Sequence, residues 1–417
     1  MQKRKDVNQV FTPRGKDVNE KMYISRPILE RELIRSVTGT KHSLLFGESG
    51  NGKTWLYKHV FNKHKIPYVV ANSGNVSRHD SIAKTICNSI NGNTTQRKDG
   101  YIDKTNAGIS AVFANGGTSH ENKYSITVND PLLDALQKYD KKSKAGTPCI
   151  IVIDNLELIC SEDHLMKELE SLIILLDDET YGFDNLKFLL VGLPQNILTY
   201  FRRQKNIESI SNRLEEVTQV RGLSYENIRH LTEQGFIHQL KVPNIGKMES
   251  DAIASRVHKI TLGTAQHVHE YCRYLAICIE DNRWHFELGL YPKADDKFLR
   301  SSLRKAYLII DEHLNKINTK VARKNQVIFA IGKITGHEFT SSQIEEILKK
   351  EFPDSICNNM GISSILTKLA SHEKKMLTRN KKTNTYAILD PAVLMCIRIV
   401  LHKENGKVIK YLFKNFS

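Results

Sequence analysis

The 417-residue sequence has no apolar run that approaches the roughly 20 residues needed to cross a bilayer. Its first residues are polar and basic, so they lack the apolar stretch of a secretory signal. The seven cysteines are scattered, without the paired spacing of a zinc or redox site. A hydrophobic fraction of 40% is enough for packed cores and argues against wholesale disorder. We therefore expect a cytoplasmic protein without disulfides, metal–thiolate clusters or a membrane partner.

Positive charge is concentrated towards the end of the chain. The net charge is +15, and residues 301–417 contain 20 Lys and Arg against 10 Asp and Glu. This excess favours a polyanionic partner, and nucleic acid is preferred over a membrane because no basic amphipathic helix with a bulky aromatic face is present. A lysine-rich solvated surface explains the same charge equally well.

The order of apolar segments predicts an α/β protein. A short apolar strand at 43–46 leads into a glycine-rich loop, a helix is predicted at 53–63, and the next strand at 67–71. This alternation is typical of a parallel sheet between helices. Further strands are predicted at 149–153, 187–191 and 217–220, and further helices near 130–140, at 161–176 and from 196.

Three regions depart from this alternation. Residues 1–21 are polar and predict a flexible arm, and residues 91–128 predict an inserted loop or small hairpin. From residue 224 the chain becomes helical, and its last part reads as three helices followed by a hairpin, the element order of a winged helix. Helices are predicted at 224–239, 249–259, 265–280, 297–317, 321–334, 341–351 and 361–372, with hairpin arms at 375–379 and 385–389.

The glycine-rich loop has the pattern GxxxxGK[ST], placed between an apolar strand and a helix as this pattern requires. Its backbone N–H groups are predicted to surround phosphate oxygens, and the positive end of the following helix adds to the attraction. Lys53 is expected to reach the β- and γ-phosphates of ATP, and Thr54 to bind Mg²⁺. The loop residues are Gly47, Glu48, Ser49, Gly50, Asn51, Gly52, Lys53 and Thr54.

An acidic residue at the end of a second strand completes the predicted magnesium site. Asp154 follows the strand at 149–153 and should emerge beside the phosphates, where it would hold Mg²⁺ through water. In many ATPases a glutamate follows directly and orients the attacking water, whereas this chain has Asn155. Glu157 either takes that role through a shifted turn, or faces solvent and leaves hydrolysis slow.

From about Tyr23 to the C-terminus these motifs resemble those of the AAA+ ATPases of the initiator clade, the Orc1/Cdc6-like proteins and their bacterial relatives. The segment from Tyr23 to Leu33 is similar to the box ahead of the family's P-loop, and the resemblance places Arg26 beside the adenine. The strand that leads to Gln195 resembles the one that carries the family's γ-phosphate sensor. Arg213 stands at the arginine-finger position, which in this family usually acts on ATP in a neighbouring subunit.

Two positions differ from the family pattern. Asn155 replaces an acidic residue, which predicts weak ATP turnover. Gln266 stands in the helical lid where the family often has an arginine, and it is expected to hydrogen-bond phosphate without neutralising it. The resemblance implies ATP and Mg²⁺ as cofactors and a homo-oligomer formed on nucleotide.

The C-terminal segment resembles the winged-helix modules that end many initiator-like and STAND-type ATPases. In the DNA-binding interpretation, the helix at 361–372 enters the major groove and nearby cations contact phosphate. Such modules also pack against an ATPase core or a partner protein. The residues predicted to contact double-stranded DNA are Lys368, Lys374, Lys375, Arg379, Lys381 and Lys382.

The predicted fold is therefore an α/β P-loop NTPase with a parallel sheet between helices, followed by an all-helical lid and a C-terminal winged-helix domain. One function that fits is an ATP-switched, DNA-binding oligomer that recruits an effector protein, in anti-phage defence or a mobile element. The other is a STAND-like signalling ATPase whose C-terminal module binds a protein. A small-molecule kinase is disfavoured because no substrate-binding cluster is evident. The predicted domains are the arm 1–21, the core 22–222, the lid 223–283, a linker 284–296 and the winged helix 297–417.

Overall fold

The computed structural model describes residues 4–92, 130–143, 147–183, 185–192, 210, 212–315, 321–336, 338–357 and 360–410. The chain divides into two units. The sheet unit comprises Arg26–Ser49 and Lys53–Val220, and the helical unit comprises Met1–Ser25, Gly50–Gly52 and Arg221–Ser417. Within the described ranges, no helix is long and apolar enough to cross a membrane.

The first helix, α1 (Val7–Val10), belongs to the helical unit. The sheet unit follows and alternates helices with strands. Its described elements are α2 (Pro27–Thr38), β1 (His42–Phe46), α3 (Lys53–His64), β2 (Tyr68–Asn72), α4 (Ser73–His79), α5 (Ile82–Asn91), α6 (Pro131–Asp140), β3 (Cys149–Asp154), α7 (Asp163–Leu176), β4 (Leu186–Gly192) and β5 (Leu214–Glu216).

The five strands form one parallel sheet in the order β2-β3-β4-β1-β5. Alternate residues of β3 enter two different cores: Ile151 and Ile153 lie in one, and Ile150 and Val152 lie in the other. Helices therefore cover both faces of the sheet, which explains why β3 is a continuous apolar run. All four of these side chains are fully buried.

The last strand lies earlier than predicted. The sequence predicts a strand at 217–220, whereas β5 ends at Glu216 and pairs with β1. Val217 and Val220 are buried in the core, and their N–H groups donate to the carbonyls of Leu44 and Phe46. Their apolar character thus reflects burial beside β1 after the strand has ended.

The helical unit continues through the rest of the chain. A π-helical segment (Glu233–Gln239) directly follows the helix Tyr225–Thr232. The described elements are α8 (Tyr225–Thr232), α9 (Lys247–Thr261), α10 (Ala265–Asp281), α11 (Tyr291–Ser302), α12 (Arg304–His313), α13 (Arg323–Gly332), β6 (Glu338–Phe339), α14 (Ser341–Glu351), α15 (Ile362–Ser371), β7 (Leu377–Asn380), β8 (Thr385–Ile388), α16 (Pro391–Val400), β9 (Leu401–Glu404) and β10 (Lys407–Lys410).

The prediction of a flexible N-terminal arm is wrong for the described residues. Val7, Val10 and Phe11 are at most 1% exposed and lie in the core of the helical unit. The ring of Phe11 lies 5.1 Å from that of Phe236, and a Cβ on Gly235 would stand 2.4 Å from Phe11. Three apolar residues in a polar segment produce too weak a periodic pattern to be recognised, yet all three face the same core.

The predicted linker at 284–296 is helical from residue 288, where a 3₁₀ turn (Leu288–Leu290) leads directly into α11 at Tyr291. The single helix predicted at 297–317 is divided at Leu303, where α11 ends and α12 follows. Phe298 and Leu303 lie in a core that also contains residues of α9 and α16. The predicted lid and the C-terminal segment therefore share one hydrophobic core.

Near the C-terminus, β6, β8 and β7 form a three-stranded antiparallel sheet in that order. The three helices α13, α14 and α15 precede the β7–β8 hairpin, with β6 between the first two. Arg398 on α16 donates to the carbonyls of Gly332 and Ile334 and to that of Lys259 on α9. The predicted insertion at 91–128 and the helix predicted from 196 lie almost wholly outside the described residues.

Candidate nucleotide site

The P-loop requires glycine at three of its positions. A Cβ on Gly47 would lie 2.3 Å from the carbonyl oxygen of Val220, so a larger residue would displace the backbone. Gly50 and Gly52 have φ values of 79° and 88°, in the left-handed region that favours glycine. These conformations let successive N–H groups curl towards one point, as phosphate binding requires.

Lys53 is buried at the start of α3. Its Nζ atom donates to the carbonyl oxygens of Gly47, at 2.6 Å, and Glu48, at 3.1 Å. Burial lowers the pKa of Lys53, while the nearby carboxylates, Glu157 foremost, act in the opposite direction. A cation held against the loop in this way is placed to exchange its carbonyl contacts for phosphate oxygens.

Asp154 ends β3 with only 5% of its surface exposed. Its Oδ2 atom accepts from the Thr54 hydroxyl at 3.1 Å and from the Tyr57 hydroxyl at 3.0 Å. Thr54 and Asp154 thus bring hard oxygen atoms together, the donor set that suits Mg²⁺ with phosphate and water. Elsewhere in the described ranges, no group of three or more His, Cys, Asp or Glu side chains could hold a metal ion.

Tyr57 is a site residue that the sequence analysis missed. It is fully buried on α3, and burial followed by the charge of Asp154 raises the pKa of Tyr57 well above its usual value. The phenol therefore stays protonated and donates to the carboxylate. Its position four residues after Lys53 places both side chains on one helix face, which is the signal that could have identified it.

A left-handed residue separates Asp154 from Glu157. Asn155 has φ 59° and ψ 41°, and its N–H donates to Asp154 Oδ1 at 2.9 Å. A short 3₁₀ turn (Leu156–Leu158) then begins. The Oε2 atom of Glu157 is buried, and Glu157 is the carboxylate with the largest effect on the pKa of Lys53. The carboxylate of Glu157 therefore contributes negative charge to the surroundings of the P-loop lysine.

Comparison with known proteins agrees with this geometry. Residues 37–201 match the family model described as the AAA domain. The matched segment contains the P-loop and Asp154. No curated protein matches the chain.

Two solved structures show the same fold over nearly the whole chain. A Walker-type ATPase of Pyrococcus abyssi is 16% identical with a TM-score of 0.52, covering 93% of this chain and 99% of that chain. The ORC2 protein of Aeropyrum pernix, in its ADP form, is 14% identical with a TM-score of 0.50, covering 93% of this chain and 95% of that chain. At these identities the likeness concerns the fold alone.

Arg213 lies at the amino ends of the parallel strands, whereas the P-loop lies at their carboxyl ends. Its carbonyl oxygen accepts from the N–H of His42, the first residue of β1, at 2.9 Å. The P-loop begins after the last residue of β1. The backbone of Arg213, beside the first residue of β1, is therefore about 16 Å from the P-loop along the strand. The Nε atom of Arg213 lies 2.7 Å from Asp177 Oδ2. Arg213 is therefore too distant to contact ATP bound to its own P-loop.

The other predicted nucleotide contacts are less direct. Arg26 begins α2, and its N–H donates to Glu30 Oε1 at 2.9 Å. In the helical unit, the N–H of Gln266 donates to the carbonyl of Gly50 at 2.9 Å, while its side chain donates to Glu270. Gln195 lies outside the described residues.

The basic residues predicted to bind DNA occupy different environments. Lys368 is exposed on α15, and Arg379 on β7 donates to the Thr367 hydroxyl at 3.4 Å, so both lie on the same side of the segment. Lys374 instead pairs with Glu312 on α12. Lys375, Lys381 and Lys382 are exposed.

Lys324, at the start of α13, is a further cation that the sequence analysis did not select. Burial lowers its pKa, and the positive charge of Lys368 lowers it further. The positive charges of the two lysines, on α13 and α15, therefore repel each other. An anionic ligand near Lys368 would relieve their repulsion.

Proposed function

We propose that the chain is an ATP-dependent switch that assembles into homo-oligomers and binds double-stranded DNA through its C-terminal segment. One observation carries the assembly: Lys53 and Asp154 stand at the carboxyl edge of the sheet, whereas Arg213 stands at the amino edge. An arginine finger stabilises the charge of the transferring phosphoryl group only in contact with it. Arg213 therefore acts on ATP held by a neighbouring copy.

Within one copy, the P-loop holds the phosphates and Lys53 balances their charge. Thr54 and Asp154 would hold Mg²⁺, which would supply positive charge to neutralise the phosphates. Glu157, whose charge acts on Lys53, orients the attacking water, a role for which many ATPases have a glutamate at the position of Asn155. We propose slow hydrolysis, because this carboxylate stands two positions later in the chain than in many ATPases. Arg26, Gln195 and Gln266 complete the contacts to adenine and γ-phosphate.

The C-terminal elements support a winged helix that binds DNA. The order α13, β6, α14, α15, β7, β8, with β8 between the other two strands, is that of a winged helix. The exposed positions of α15 include Ser363, Ser364 and Ser371 beside Lys368, and such short side chains permit close approach to a groove. Lys381 and Lys382, in the hairpin turn, extend the basic surface to phosphate. A cytoplasmic switch of this kind, which recruits an effector protein, would suit anti-phage defence or a mobile element.

A second function is favoured by the contacts of Arg398. This side chain joins α16 to the carbonyl of Lys259 on α9, in the predicted lid. A C-terminal segment that is held against the lid could transmit a nucleotide-dependent change to a protein partner. The chain would then be a STAND-like signalling ATPase, and its basic surface would only keep it soluble.

Light scattering tests the two functions together. The mass of the wild-type protein is measured without nucleotide, with ATP and with a non-hydrolysable analogue, each with and without duplex DNA. We expect a larger complex that requires ATP and is favoured by DNA. Assembly on ATP that is indifferent to DNA would favour the signalling function.

Two variants separate the roles within the AAA domain. Lys53→Ala should lose ATP binding because the P-loop loses its cation. Arg213→Ala should bind ATP as the wild type does but fail to assemble or to hydrolyse it. If Arg213→Ala matches the wild type in both assays, Arg213 is a structural residue and the assembly proposal fails.

A further inference from the structure

Three polar side chains, those of Asp177, Arg213 and His42, meet at the amino ends of the strands of the five-stranded sheet. Asp177, directly after α7, places Oδ2 at 2.7 Å from Arg213 Nε and Oδ1 at 3.4 Å from His42 Nε2. Burial alone would raise the pKa of Asp177, but the adjacent His42, followed by the charge of Arg213, holds that pKa below its usual value. Asp177 therefore remains a carboxylate between the two side chains.

His42 is held in one orientation. Its ring is buried, and its Nδ1 atom accepts from the N–H of Phe188 on β4 at 3.1 Å. An Nδ1 atom that accepts this bond carries no proton, so the proton of the neutral ring is on Nε2, which faces Asp177. The ring also lies edge-on to Phe188, with centroids 5.4 Å apart. The sheet thus fixes His42, and His42 restrains Asp177.

The position of Asp177 is electrostatically unfavourable for helix formation. It caps the C-terminus of α7, where the helix dipole favours a cation over a carboxylate. A carboxylate at an unfavourable helix terminus suggests that it is retained for a contact outside that helix. Asp177 contacts a buried atom of Arg213, its Nε, whereas a third of the Arg213 side-chain surface is exposed. The anchored atom faces inward, and the exposed surface lies elsewhere on the side chain.

We propose that Asp177, restrained by His42, is a positioning residue that orients Arg213 towards ATP on a neighbouring copy. This inference rests on the proposed function of Arg213 as an arginine finger. A long, flexible side chain gains catalytic effect when its geometry is fixed before the reaction, because no reorganisation is then needed in the transition state. Removing the charge of Asp177 should leave Arg213 present but poorly oriented.

A subunit-mixing experiment isolates this effect. The donor chain carries Lys53→Ala and supplies only the finger, and the acceptor chain carries Arg213→Ala and supplies only the ATP site. Each chain alone should be inactive, and their mixture should recover single-turnover hydrolysis of ATP. Adding Asp177→Asn to the donor should reduce the recovered rate roughly 10- to 100-fold. Because the acceptor's own ATP site is unchanged, the concentration that gives half of the maximal single-turnover rate should change little while that maximal rate falls.

Two donor variants control for structure. Asp178→Asn makes the same chemical change at the next residue, which is exposed, and should support full recovery. Asp177→Glu keeps the charge and should restore part of the rate lost with Asp177→Asn. These rates can be compared only if the donor variants unfold at similar temperatures and form complexes of equal mass with the acceptor by light scattering.

The outcomes distinguish the inference from the proposed function. If the mixture of Lys53→Ala and Arg213→Ala chains recovers no hydrolysis, Arg213 does not act between copies, and the proposed function fails. If the mixture recovers hydrolysis and the Asp177→Asn donor supports it fully, Arg213 acts between copies but Asp177 does not position it.

Discussion

Phe11→Ala should strongly destabilise the helical unit. Phe11 is fully buried, and its ring lies directly over Gly235 in the π-helical segment. Replacing a buried Phe by Ala typically costs about 3–5 kcal/mol, and the cost is higher where the walls of the cavity cannot move inward. Here one wall is helix backbone at a glycine, so we expect about 4 kcal/mol. This is a large part of the ~5–15 kcal/mol by which a domain is usually stable.

The two tryptophans allow the measurement to be confined to one unit. Trp284 lies in the helical unit, where the Arg4 guanidinium stands 4.1 Å from its ring centroid, and Trp55 lies on α3 of the sheet unit. In a Trp55→Phe background, tryptophan fluorescence during urea unfolding reports Trp284 alone. The free energy of unfolding and its dependence on urea are compared with and without Phe11→Ala.

A surface substitution provides the matched control. Leu288→Ala removes an apolar side chain that is 70% exposed in the same unit, so its effect should stay within about 0.5 kcal/mol. A loss below about 1 kcal/mol for Phe11→Ala would refute the reasoning, since a buried ring cannot be removed so cheaply. The N-terminal residues would then behave as the flexible arm that composition suggests.

The remaining predictions concern the turn after β3, the basic surface and acid stability. Asn155→Gly should preserve stability because glycine adopts the left-handed region freely. Asn155→Glu should cost about 1 kcal/mol of stability without raising ATP turnover. Faster turnover by Asn155→Glu would contradict the proposal that Glu157 orients the attacking water. Lys368→Glu combined with Arg379→Glu should weaken duplex binding and reduce its salt slope by about 2, while Lys374→Glu should have a smaller effect because Glu312 already neutralises that lysine. Burial alone would raise the pKa of Glu270, but hydrogen bonds from neighbouring α10 side chains hold it below its usual value. Its stabilising effect is therefore present above the unfolded pKa of about 4.3 and is lost as the pH falls through the folded pKa, so the stability difference between wild type and Glu270→Gln should shrink at acid pH in urea titrations.

Much of the nucleotide site could be predicted from the sequence because it depends on neighbours along the chain. A strand, a glycine loop and a helix follow one another at β1 and α3, so the pattern that contains Lys53 and Thr54 is local. Asp154 was predictable for a similar reason: a fully apolar strand ends at it, and parallel strands end at a common edge. The hairpin of β7 and β8 was also predictable, since its turn and both arms are contiguous.

Other features depended on which helices and strands pack together. Tyr57 donates to Asp154, and Asp177 joins Arg213 to His42, through contacts between different elements. Sequence periodicity identifies the buried face of an element, but it does not identify the neighbour that the face will meet.

The sequence by itself determined the chemical groups of this protein: a glycine-rich loop with a lysine, an acidic residue at the end of an apolar strand and a basic C-terminal third. Only the tertiary structure decided how the termini and the charged residues are used. The N-terminal residues are buried because Gly235 leaves room for Phe11, and Arg213 is directed away from its own ATP because β5 runs parallel to β1. Both results follow from long-range packing, whose free energy depends on the fit between distant surfaces and leaves no local pattern in the chain.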